Sequence, residues 1–166
     1  MDESESRLPA KWQICVPRSE NEIQYLLKAE EQILQSISAQ VPISNILNDI
    51  CNALDRQIGN MVSVISTPAD NGIGAVEVSR SAALFGLHAF CSVVIGAESG
   101  EELGSLEMYC SVSRSPSPNE IQLIERANCL AAVAIQRHCE ADGGNYRIDR
   151  VRSARGYVRE MSTSMN

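Results

Sequence analysis

Between residues 19 and 60 apolar side chains recur every three or four positions, the period of a helix with one face turned to a core. The first run holds Ile23, Leu26, Leu27, Ile33, Leu34 and Ile37 and is broken only by Glu30. It opens on Ser19-Glu20-Asn21-Glu22, a capping box in which the serine hydroxyl accepts from a backbone amide and the glutamate reaches back to the cap. Pro42 ends it, so a helix is predicted over about 20–40. A second run, Ile43, Ile46, Leu47, Ile50, Cys51, Leu54 and Ile58, predicts a helix closed by Gly59-Asn60. The period then changes to two. Residues 61–66 and 74–80 read as strands, with 68–72 a turn between them, and the more continuously apolar 89–95 as a third. After the loop 96–100, residues 103–112 alternate: Leu106, Met108, Cys110 and Val112 to one side, Ser105, Glu107, Tyr109 and Ser111 to the other. Ser117-Pro118-Asn119-Glu120 joins a second capping box to a proline at the first helical position and predicts a last helix over about 118–139. In that helix Ile121, Ile124, Leu130, Val133 and Ile135 supply bulk. The order predicts an α+β fold, an antiparallel sheet faced on one side by helices. Residues 1–18 lack a sustained period and read as a leader, 19–141 as the domain and 142–166 as a basic tail.

Length and charge narrow the reading. A chain of 166 residues holds one domain with tails. Aromatics are 4% of the residues, with one Trp and two Phe, too few for a base-stacking platform. The net charge of −7 disfavours phosphate backbones and anionic membranes. No nucleic-acid or membrane partner is therefore expected. The acidic N-terminus does not resemble a signal peptide and no apolar run reaches membrane-spanning length, so a cytoplasmic location is expected. The tail differs: Arg147, Arg150, Arg152, Arg155 and Arg159 face only Asp142, Asp149 and Glu160, a net +2 that leaves −9 on the remainder. Such a segment suits docking on this acidic body, docking on a partner, or simple solvation.

Candidate chemistry is sparse. The six cysteines, at 15, 51, 91, 110, 129 and 139, form no Cys-x-x-Cys pair and mostly read as buried free thiols. With only His88 and His138 beside them, no metal site is expected. His88 and Cys91 are three apart, which places them on opposite faces of a strand and disfavours a thiol–imidazole pair. Gly72-Ile73-Gly74 lies between two strands, so it reads as a hairpin turn rather than a phosphate loop. Glu30-Glu31 and Glu101-Glu102 give no catalytic carboxylate pair.

The segment 87–95, then Glu102-Leu103-Gly104-Ser105-Leu106-Glu107-Met108-Tyr109, then Arg114-Ser115-Pro116-Ser117-Pro118-Asn119-Glu120, then 123–137, resembles a GAF domain of the bacterial signalling type. The likeness extends in order over roughly 20–140. It implies a profilin-like fold, with N- and C-terminal helices packed on one face of the sheet, and in this family it implies dimerisation. Leu26, Ile33 and Ile37 of the first helix and Ile124, Ala131 and Ile135 of the last are then candidate dimer residues. The alternative is that these residues lie in the monomer core.

The departures bear on function. GAF domains usually interpose several tens of residues between the second and third strands as a roof over a ligand; here only 79–88 are available. Val94 stands where relatives commonly carry proline, and the Asn-Lys-Phe-Asp-Glu constellation of cyclic-nucleotide-binding members has no counterpart. About ten residues are too few to wall a cavity of roughly 300–1,000 Å³. Glu77, Ser79, Glu107, Tyr109 and Ser111 are then expected to form a polar face open to solvent or to a partner. These features predict a non-enzymatic regulatory domain of signal transduction, without cofactor, acting through a signalling partner and a homodimer. Two other readings stay open: a cysteine-dependent redox enzyme or thiol sensor like the methionine sulfoxide reductases of this family, using Cys91 or Cys110, and a small-molecule sensor with a cavity built from the tails, Trp12 and Tyr157 included.

Overall fold

The computed structural model describes residues 19–67 and 82–142. Helix α1 (Glu20–Ser38) starts at the first capping box: the Glu22 amide donates to Ser19 Oγ (3.3 Å) and the Ser19 amide to Glu22 Oε2 (3.2 Å). The chain turns through Gln40, at φ 54°, and Pro42 into α2 (Ile43–Ile58). Ile43, Ile46, Leu47, Ile50, Cys51 and Leu54 of α2 are all buried, as their spacing predicts. Gly59 (φ 73°) and Asn60 (φ 50°) then release the chain into β1 (Met61–Ser66). Strands β2 (His88–Gly96) and β3 (Glu102–Cys110) follow, and helix α3 (Pro118–Ala141) begins at the second capping box.

The fold is α+β, with an antiparallel three-stranded sheet among the described residues in the order β1-β3-β2. The expected strand 74–80 falls outside the described residues. The main core joins α2 and α3 to one sheet face; Leu47, Ile95, Leu106, Ala131 and Ile135 have no exposed surface. Each large aliphatic side chain buried this way contributes about 1.5–3 kcal/mol before its ordering entropy is subtracted. Helices α1 and α3 run side by side in the same direction, Glu30 against Arg126 and Ile37 near Ala134.

Two expectations about β3 are corrected. Val112 does not turn inward: it is 62% exposed. Met61 of β1 and His88 of β2 both pair with Cys110, so no neighbouring strand continues past that residue and the chain leaves the sheet. Tyr109 is 5% exposed, not part of a wet face. It packs with Val62 and Val64 of β1, under Ala82 and Leu87 from the helical turn that precedes β2. Its hydroxyl donates to Glu107 Oε2 at 2.8 Å, which satisfies the one polar atom that this burial carries inward.

Candidate functional site

The described part of the second sheet face is an apolar patch with a polar margin, not an open polar platform. Glu107 is half-buried and holds the Tyr109 hydroxyl, while Ser111 is exposed beyond the end of β3. Glu77 and Ser79 lie outside the described residues, as do Trp12 and Tyr157. Of the five residues proposed for one surface, Glu107, Tyr109 and Ser111 are described, and of these Tyr109 is buried.

The helix pair shows a different division from the one the sequence suggests. Ile33, Ile124, Ala131 and Ile135 are buried, and Leu26 and Ile37 pack half-buried against the same core. All six candidate dimer residues therefore belong to the monomer interior. A second stripe faces outward: Ile23 is 41%, Leu27 56% and Leu34 48% exposed. Steps of four and seven residues align these three on one side of α1. On α3 the outward apolar residues are Ile121 and Val133, which the sequence pattern counts among the core-forming bulk. An inner and an outer stripe less than a quarter turn apart look alike in sequence, because both obey the same helical period.

Glu30, the charge that interrupts the first apolar run, explains how α1 is held in place. Its carboxylate accepts two hydrogen bonds from Arg126 of α3, at 2.7 Å from Nε and 2.6 Å from Nη2. This two-pronged geometry fixes orientation as well as distance. The carboxylate also holds the Arg126 guanidinium in its charged form, shifting its pKa upward. The sequence signal was a lone acid at an otherwise apolar position; its partner was not legible.

A second arginine organises the approach to α3. Arg114 donates to both oxygens of Glu120, at 2.8 and 2.6 Å, and its guanidinium lies 4.8 Å from the centre of the Phe90 ring on β2. Glu120 also accepts from the Ser117 amide at 2.7 Å. The Arg114 hydrogen bonds, with help from the Ser117 amide and hydroxyl, lower the Glu120 pKa to about 2. These contacts give a physical role to 114–120.

None of the five described cysteines forms a disulfide. Cys51 and Cys110 are buried, Cys91 and Cys139 half-buried, and Cys129 exposed on α3, against the expectation of burial. Cys110 faces the Val112 carbonyl oxygen at 2.7 Å. Burial raises the pKa of both Cys91 and Cys139, and Glu101 and Asp142 raise that of Cys139 further. Both are therefore weakly ionised near neutral pH, the opposite of what a nucleophilic thiol requires. Among the described residues no group of three or more His, Cys, Asp or Glu side chains is placed to hold a metal ion. Among them, too, no helix is long and apolar enough to cross a membrane. Comparison with protein-family models, with curated proteins and with solved structures finds no match.

Proposed function

We propose that this chain is a GAF-like regulatory domain of cytoplasmic signal transduction that acts through protein contacts, as a homodimer, without catalysing a reaction. The observation that carries the reading is the outer stripe of α1, where Ile23, Leu27 and Leu34 stand exposed at helical spacing beside α3. A second copy presenting the same stripe about a twofold axis would cover it and complete a four-helix arrangement of two α1 and two α3 helices. The α+β architecture and the helix-terminal device of Arg114, Ser117 and Glu120 are in keeping with the resemblance of 114–120 to the GAF family. The raised thiol pKa values at Cys91 and Cys139 weigh against a cysteine nucleophile at either position.

The test is the double substitution Leu27→Glu/Leu34→Glu, followed by light scattering and circular dichroism. The expected outcome is loss of self-association with the helical signal unchanged, because neither side chain belongs to the buried core. Unchanged association would remove α1 from the interface.

A further inference from the structure

The C-terminal ends of α1 and α3 meet the α1–α2 turn around an open groove of about 820 Å³. Its apolar wall includes Leu34, Ile37, Val41, Pro42, Val133 and Ala134, with Leu34 and Val133 well exposed. Its electrostatics lean negative. Two helix C-termini converge here, each carrying a partial negative charge of about half an electron. Helix α1 has no basic residue in its last turn, and α3 has only His138. Glu140 and Asp142 line the groove as well; Arg137, the one arginine in its lining, lies 3.8 Å from Glu140, and His138 lies 3.3 Å from Asp142.

We infer that this groove is the docking site of the chain's own arginine-rich segment, residues 145–158. Three observations select that occupant. Asp142, the last described residue, is itself part of the groove wall, so the segment starts at the site. Gly143-Gly144 follows at once, and two glycines tolerate the backbone angles needed to reverse direction at a helix end. The segment then offers both chemistries that the groove calls for. Tyr146, Ile148, Val151, Tyr157 and Val158 supply apolar and aromatic bulk for the wall, and Arg147, Arg150, Arg152 and Arg155 supply charge for the carboxylates and helix ends. The N-terminal segment is a poorer candidate. It joins the fold at Ser19, the far end of the 19-residue helix α1, about 28 Å away at 1.5 Å per residue. Leu34 is shared with the outer stripe of α1, whose other members, Ile23 and Leu27, do not line the groove.

The experiment places the photocrosslinker p-benzoylphenylalanine at Val133 of the full chain, and in a separate variant at Ser38 on the opposite wall. Crosslinked peptides are mapped by mass spectrometry, with the same label at the 85% exposed Leu84 as control. The expected result is a link within one chain to a residue between 145 and 158 from both groove positions. Arg147→Glu/Arg150→Glu in the labelled chain is expected to cut that yield at least fivefold. Links from both positions to residues 1–18, links to a second copy, or a yield no higher than the Leu84 control would each overturn the proposal. A yield unaffected by the charge reversal would overturn its electrostatic basis.

Discussion

Gly104 of β3 sits against the backbone at the end of β1. A Cβ at this position would collide with the Ser66 carbonyl oxygen, a backbone atom that cannot swing aside. Gly104→Ala is therefore expected to destabilise the fold by about 1–3 kcal/mol, read from chemical denaturation. Glu120 provides a pH signature at the same scale. Its carboxyl is held at about 2 against an ordinary 4.5, so its contribution is complete above about pH 4.5 and is lost as pH falls toward 2. Arg114 is 40% exposed on its side chain, so solvent screening keeps the contribution small. Glu120→Gln should lower stability at pH 7 and flatten the stability profile between pH 4.5 and 2; an unchanged slope would mean that the ion pair contributes nothing. The sequence made this capping box legible, since Ser117, Pro118 and Glu120 are local to one another. It left Tyr109 and Ser63 illegible, because their partners come from other elements. Ser63 occupies a polar position in a short apolar strand, yet it has no exposed surface and its hydroxyl lies 2.6 Å from Asp55 Oδ1 on α2.

At the scale of elements, the helices α1, α2 and α3 and the three described strands were each legible from period and caps, with ends shifted by a few residues. What the period could not give was which of two adjacent stripes on α1 faces the interior. That choice depends on where α2, α3 and the sheet lie, and the packing selects Leu26, Ile33 and Ile37. The division is measurable. Ile33→Ala is expected to cost about 2–4 kcal/mol, the range for a buried aliphatic cut to alanine. Leu27→Ala, at an exposed site, should stay within about 0.5 kcal/mol in the dissociated protein. Equal costs would show that the two stripes are not divided between interior and surface, and a larger cost at Leu27 that they are exchanged. Glu30 reports the same geometry, since the polar break in the stripe falls where Arg126 reaches across from α3.

At the scale of the whole molecule, the described residues pack a large core under one sheet face and a smaller apolar patch on the other. The expectation of a polar sheet surface failed on Tyr109, and it failed for a physical reason: Ala82 and Leu87 cover part of that face with a very short length of chain. Recognition through that surface thus loses its central residue. The exposed apolar residues lie in a row on the outer side of α1, the surface proposed for self-association. Sedimentation equilibrium of the unaltered chain, over micromolar to near-millimolar concentrations, tests this directly. A mass rising to twice 18.1 kDa is the expected result, and a mass of 18.1 kDa at every concentration would contradict self-association through α1.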